Sequence, residues 1–463
     1  DSVMAVFVSE KTHLMPGKFE VSEIFFRVPL DYSDLSRGTL GLFARGVTKH
    51  ERPTNPEEKV DKSQKPWLLW LQGGPGKNCQ PPERQAVTRK FLERGYQVLY
   101  LDQRGTGLSD PITAETLALE GNAQKQADFL KLFRADNIVR DCEAIRPILT
   151  EGYPSLLKKW TIWGQSFGGY CALTYLSFYP EGLLEVFISA GVPPIDGTAE
   201  TVYTATYPRM IKRNQIYYEK YPEDVESVHN LASYLESTGG VKLPAGGTLT
   251  YQRFLQLGLS FGASGGIDTV HNIVLRMTTD LARYKFITRP TLSDIEAIGG
   301  YDDHVIYSLL REAEYCNGTV SGWAAERVGR SIKQFSWVSA SSSTTSKSNL
   351  PEAPLHFSGG MVFPHMFKNF SGIDKLGEVA DILARVEWPE LYDKAQLAKN
   401  EVPLYSATYV DDCIIDFNLA QETMSKIKNC KQFITNTMYH DGVRSKTAEV
   451  LEGLWALRDD VLD

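Results

Sequence analysis

The sequence predicts an α/β fold, with a mostly parallel central sheet, helices on both faces, and a helical cap inserted between two of the strands. Three observations predict it. From Pro66 onward, short and wholly apolar runs alternate with helix-patterned stretches. Strands covered by helices on both faces read this way, because neither side of such a sheet meets water. The series of runs then breaks after Gly191-Val192-Pro193-Pro194 and resumes only near Val402. Finally, 463 residues exceed what one ordinary core fills and suit a large domain carrying an insertion. The expected division is a sheet domain of residues 1–195 and 376–463 and a mostly helical cap of residues 196–375. A Ser/Thr-rich piece at 339–348 is expected to be a flexible excursion of that cap.

The elements follow in order. Lys18 to Val47 reads as two strands, FEVSEIFFRVPL and TLGLFARGV, around the turn DYSDLSRG. The polar stretch KHERPTNPEEKVDKSQKP has no periodicity and several helix breakers, so it is a loop. WLLWLQ (67–72), QVLYLD (97–102), WTIWGQ (160–165), EVFISAG (185–191), VPLYSATYV (402–410) and KQFITNT (431–437) are expected strands buried on both faces. The long segment between the fourth and fifth of these is helical in pattern and rich in Tyr and Phe.

Composition excludes several roles. The chain is 42% hydrophobic and 23% charged, as folded soluble proteins are. Its net charge is -8 and no basic run is dense enough to track phosphates, which excludes nucleic acid as a partner. No apolar stretch approaches the ~18 residues that span a bilayer, so no membrane partner is expected. The first residues lack a basic stretch followed by an apolar core, so they do not read as a signal peptide. Six cysteines are scattered without metal-ligand spacing, which points to a reducing, cytoplasmic setting. Two sequons, Asn317-Gly-Thr319 and Asn369-Phe-Ser371, leave secretion open. With no HExxH, Walker or dinucleotide-loop spacing, neither metal nor cofactor is expected.

The chemistry concentrates at Gly164-Gln165-Ser166-Phe167-Gly168, a G-x-S-x-G pattern. It follows the β-branched and aromatic WTIW and precedes a helix-patterned GGYCALTYLSFYP that ends at Pro180. A strand–turn–helix is the setting in which this pattern forms the nucleophile elbow of the α/β-hydrolase fold, with small residues letting strand and helix approach. Ser166 is therefore the expected nucleophile. In this fold the acid and then the histidine follow the serine along the chain. His13 and His50 precede Ser166, and His229, His271, His304, His356 and His365 lie in the insertion. His440, directly after the last apolar run, remains as the base. The acid should follow VPLYSATYV, where Asp411 and Asp412 are both placed to serve and Asp416 stands further off. Gly73-Gly74-Pro75-Gly76 follows a core strand. Backbone amides of Gly74 and Phe167 are the expected oxyanion donors, since glycine lets main chain approach the reacting carbonyl.

Together, GGPG after one strand, DQRGTGLSDP after the next and GQSFGG at the elbow resemble the proline iminopeptidase (prolyl aminopeptidase) family. The match covers roughly 18–195 and 400–463, and the cap is closer to the longer fungal and actinobacterial members. The resemblance implies an α/β-hydrolase that releases an N-terminal residue, preferably proline, from short peptides with a free N-terminus. It implies Ser166, Asp412 and His440 as the triad, VDDC aligning Asp412 rather than Asp411, with Gly74 and Phe167 as oxyanion donors. A cap glutamate holds the substrate ammonium in the family; in YSLLREAEYCNG Glu314 is the closer match and Glu312 the alternate. Two residues apart on a helix they diverge by about 200°, so one at most faces the site. A second acidic anchor of the family falls at Gly360, which implies that it is missing here. Gln72 stands where the family has a leading histidine, and Phe167 where it often has tryptophan; both changes keep the backbone donors. Tyr203, Tyr207, Phe363 and Phe367 are candidates for an apolar proline pocket, or else for cap core. Two rival readings stand beside this one, an esterase or amidase on the same triad and an inactive hydrolase scaffold.

Overall fold

The computed structural model describes residues 4–60, 63–339 and 348–461, so positions 340–347 of the Ser/Thr-rich excursion lie outside the described residues. Among the described residues nine strands form one sheet: β1 (Val6–Met15), β2 (Phe19–Pro29), β3 (Thr39–Lys49), β4 (Trp67–Leu71), β5 (Gln97–Asp102), β6 (Trp160–Gln165), β7 (Leu183–Ser189), β10 (Leu404–Tyr409) and β11 (Cys430–Thr435). Their order is β1-β2-β3-β5-β4-β6-β7-β10-β11. The first three strands and β5 pair antiparallel, and every pair from β5 through β4 to β11 is parallel. A separate hairpin, β8 (Val241–Lys242) with β9 (Thr248–Leu249), lies in the long segment between β7 and β10.

The continuous apolar runs are explained by two cores, one on each face. Along β4 the side chains alternate, Leu69 and Leu71 entering the larger core and Leu68 and Trp70 the smaller one. On the smaller side Trp70, Trp163 and Phe187 form a near-parallel stack across β4, β6 and β7, with centroids 6.3 and 5.1 Å apart. The larger core runs unbroken from the sheet into the helices Ala199–Lys220, Asp224–Thr238 and Gly266–Tyr284.

Two strands depart from expectation. KQFITNT is not buried on both faces: β11 has β10 as its one neighbour at the sheet edge and stays half-exposed along its length. β1 was not foreseen, because it is exposed along nearly its whole length and so carries no burial pattern. It is held instead by main-chain pairing to β2, with an irregularity between Phe7 and Ser9.

The DQRGTGLSDP motif after β5 clamps this framework. Arg104 is buried and donates to both carboxylate oxygens of Asp141, Nε to Oδ2 at 2.7 Å and Nη2 to Oδ1 at 2.6 Å. Its remaining donors go to the carbonyls of Pro29, Leu30 and Leu132, so one guanidinium ties the end of β2 to the helix Ala135–Leu149. The Tyr32 hydroxyl also donates to Asp141, at 2.8 Å. Nearby, Asp102 accepts from the Cys79 and Leu108 amides, and Ser109 Oγ accepts from the Phe43 amide.

Breaking a buried pair from one side leaves the other charge uncompensated, at a cost of about 3–5 kcal/mol. Arg104→Met is therefore expected to lose stability of that order in urea unfolding at pH 7. The double variant Arg104→Met/Asp141→Leu should recover much of it. A single-variant loss under about 1 kcal/mol would show that the pair is dispensable.

Candidate active site

Ser166 sits between β6 and the helix Phe167–Phe178 with φ 52° and ψ -119°, a left-handed conformation that a residue with a side chain rarely adopts. Such a residue costs about 1–3 kcal/mol and persists only where its surroundings dictate it. Here they do. A Cβ on Gly168 would lie 2.0 Å from the Leu71 carbonyl oxygen, and one on Gly164 2.3 Å from that of Gly168. A Cβ on Gly169 would meet the Gly191 carbonyl oxygen at 2.1 Å, and one on Gly191 would meet that of Ser166 at 2.3 Å. β4, the elbow and the residues just past β7 thus touch backbone to backbone. The Ser166 amide donates to Ser189 and its carbonyl accepts from Gly169, which closes the turn.

Ser166 Oγ lies 2.8 Å from His440 Nε2, and His440 Nδ1 lies 2.9 Å from Asp412 Oδ2. The acid left open by position is thereby distinguished in space. Asp412 is buried, and its Oδ1 accepts from the Ile414 and Ile415 amides, which hold the carboxylate in one orientation. Asp411 points elsewhere and pairs with Lys212, while Asp416 caps the helix Phe417–Met424 and pairs with Arg209. A carboxylate on Nδ1 favours the tautomer whose Nε2 accepts the serine proton.

The insertion holds the histidine turn. The His440 amide donates to the Gly262 carbonyl, and Asp441 Oδ1 accepts from Ser264 N and Oγ. Arg213 supports both sides, donating to the Phe261 carbonyl and stacking 4.0 Å from the Tyr439 ring centre. None of these residues carried a signal in the sequence, since a lone Gly, Ser or Arg on a helical stretch reads as ordinary surface or core.

A cavity of about 190 Å³ opens over Ser166 and His440. Gly73 and Gly74 form one wall, with Gln72, Leu259, Tyr307 and Ile414 among the others. The predicted donor loop therefore faces the serine, and a Cβ on Gly73 would contact Ser166 at 3.2 Å. Among the described residues, the amides of Gly74 and Phe167 donate to no other group. Arg311 Nη1 donates to the Gly74 carbonyl at 3.0 Å and so fixes the loop from the cap side. Gln72 is held by the Trp70 indole, which donates to its side-chain oxygen at 2.7 Å.

The two cap glutamates are not among the residues lining this cavity; their neighbour Arg311 is. The helix Val305–Leu310 gives way to a 3₁₀ turn, Ala313–Tyr315, which buries both carboxylates rather than presenting one outward. Glu312 accepts from the amides of Ala324 and Ala325 at the start of a short helix, with Tyr203 beside it. Burial pushes its carboxyl up to about 7. Glu314 is buried near Arg134 and the Ala135 amide, neither close enough to satisfy its oxygens, and burial pushes it up to about 8. Tyr203, Tyr207, Phe363 and Phe367 are buried in the larger core and do not line the cavity. Gly360 lies just behind the wall: a Cβ there would sit 3.3 Å from the Tyr307 hydroxyl and within 4 Å of Leu259 and Ile414.

Elsewhere, Glu223, Asp224 and His271 lie together with metal-ligand spacing, but Asp224 already accepts from His271 and Tyr217. All six cysteines are free, five of them buried. Asn369 of one sequon is buried and donates to Thr250, so it is closed to a glycan in the folded chain. Among the described residues no helix is long and apolar enough to cross a membrane.

The family model described as alpha/beta hydrolase fold matches residues 66–234. The chain is 44% identical over 460 residues to proline iminopeptidase aneH of Aspergillus aculeatus, covering 99% of this chain and 98% of that one. It is 36% identical over 455 residues to a proline iminopeptidase of Aeromonas sobria, covering 98% of this chain and all of the relative. The likeness thus runs through the insertion as well as the sheet domain, further than the motifs alone indicated.

A carboxyl whose pKa is raised by folding keeps its proton in the native state at pH values where the unfolded chain has lost it. The native state is then favoured below the unfolded value near 4.5, and that advantage is lost as pH climbs through about 8 for Glu314. Glu314→Gln should therefore lose less thermal stability than the wild type between pH 6 and pH 9. Equal slopes of melting temperature against pH would show that Glu314 is not held protonated.

Proposed function

The chain belongs to the proline iminopeptidase family of α/β-hydrolases, and on that premise we propose that it is a serine aminopeptidase releasing N-terminal residues, preferably proline, from short peptides. The observation that carries the reading is the unbroken hydrogen-bond chain from Ser166 through His440 to Asp412, opening on a small cavity beneath a glycine loop.

Ser166 Oγ attacks the carbonyl carbon of the first residue while His440 Nε2 takes its proton. Asp412, fixed by two backbone amides, orients the imidazole and stabilises its cationic form. The Gly74 and Phe167 amides receive the oxyanion. They are preorganised, because one belongs to a loop tethered by Arg311 and the other to the first residue of a helix. His440 returns the proton to the leaving amine, which departs and leaves an acyl-enzyme at Ser166. Water, activated by the same histidine, then releases the free amino acid. Residues 196–375 act in this scheme as a cap that restricts the site to chain ends.

Of the two cap glutamates, Glu312 is the better placed to hold the substrate amine. It adjoins Arg311, which lines the cavity, and the two amides it accepts leave lone pairs on its carboxylate. A charge-assisted bond there would favour a free over a blocked N-terminus.

Ser166→Ala should lower kcat on prolyl p-nitroanilide by a factor of roughly 10⁶ and abolish labelling by a fluorophosphonate probe. Wild type should cleave the free anilide and spare its N-acetyl form. Glu312→Gln should raise KM for the free form more than Glu314→Gln does. Rapid cleavage of simple p-nitrophenyl esters with no preference for a free amine would replace this reading by that of an esterase. An unlabelled wild type would make it an inactive scaffold.

A further inference from the structure

The charges that converge on the Ser166 cavity are mostly positive. Lys77, Arg311 and Arg444 line it, and Asp441 is the sole carboxylate among the described lining residues. That carboxylate is occupied on one oxygen by Ser264. Neither cap glutamate is among the lining residues, and Gly360 behind the wall carries no side chain.

Among the described residues none of the three cations forms an ion pair. Arg311 is 3% exposed; Nη1 is spent on the Gly74 carbonyl, while Nε is buried with no partner. Lys77 and Arg444 stand at the mouth, and neither forms an ion pair among the described residues. They are near enough to repel: burial first, then Arg444 and Arg311, hold the Lys77 ammonium below its usual pKa. A guanidinium beside an ammonium matches a carboxylate in shape and charge, and offers it charge-assisted hydrogen bonds.

Position narrows what that anion is. Lys77 directly follows the Gly73–Gly76 loop that faces the carbonyl, and Arg444 lies four residues beyond the histidine that protonates the leaving amine. Both are thus carried by the loops that hold the reacting groups. The cavity, at about 190 Å³, is smaller than the roughly 300–1,000 Å³ typical of ligand pockets, which puts the anion close to the scissile bond.

We propose that Lys77 and Arg444, backed by Arg311, bind the free C-terminal carboxylate of a dipeptide, so that dipeptides are the preferred substrates. This rests on the aminopeptidase reading for the bond that is cut. The carboxylate stays on the leaving amino acid, which departs carrying both its new amine and its original acid.

The test compares Pro-Ala, Pro-Ala-amide and Pro-Ala-Ala by release of free proline. Wild type should show kcat/KM at least tenfold higher for Pro-Ala than for the other two, mainly through KM, and the advantage should shrink as salt is raised. In Lys77→Gln/Arg444→Gln the ratio of Pro-Ala to its amide should fall toward one. A ratio near one in wild type, or one unchanged in the double variant, overturns the proposal. Titration of the two peptides into full-length Ser166→Ala protein separates binding from turnover. Tighter binding of Pro-Ala than of the amide supports the carboxylate site, and equal binding overturns it. If wild type cleaves neither peptide but Ser166→Ala still prefers the acid, the aminopeptidase reading fails and the anion site stands.

Discussion

Four glycines let three chain segments meet backbone to backbone at Ser166, and the rest of the site depends on that contact. Gly164, Gly168, Gly169 and Gly191 each occupy a place where a methyl group would lie within 2.3 Å of a carbonyl oxygen. Because β4, β6 and β7 are locked by two cores, the closeness is imposed from outside the turn. The left-handed serine is its product, with its hydroxyl raised above the ends of the strands. Arg104 plays the complementary part at the next loop, joining β2 to the helix Ala135–Leu149 so that the motif after β5 cannot drift.

Much of this was legible in the sequence, for definite reasons. The parallel strands announced themselves because both faces are apolar, and G-x-S-x-G acquired meaning from the strand before it and the helix after it. His440 followed from elimination. Asp411 and Asp412 could not be separated by position, because the difference lies in which carboxylate turns inward to the Ile414 and Ile415 amides. β1 was invisible because exposed edge pairing leaves no hydrophobic period. Family likeness supplied the residue types at Glu312 and Glu314, but not their direction, which a 3₁₀ turn decides. Lys77, Arg311 and Arg444 were overlooked for a related reason: isolated basic residues look like solvated surface until a fold gathers them.

The insertion is more than a cover. Its carbonyl at Gly262 and its serine at Ser264 hold the histidine turn, and Arg311 steadies the donor loop from the opposite side. On the proposed reading, reaction geometry and ligand recognition are thus built from the same segment. A change in the cap that alters what the cavity admits will tend also to shift the alignment of His440, which couples specificity to rate.

The hydrogen bond between Ser166 and His440 joins residues 274 positions apart. During synthesis the serine, its turn and its glycines emerge from the ribosome while the imidazole has yet to be made, and at roughly 5–20 residues per second that gap lasts from about 14 to 55 seconds. A nascent or prematurely terminated chain carries an elbow with no base. On the proposed mechanism it stays inert toward its neighbours until His440 is in place, so the length of the loop between the partners also acts as a timer on the onset of activity.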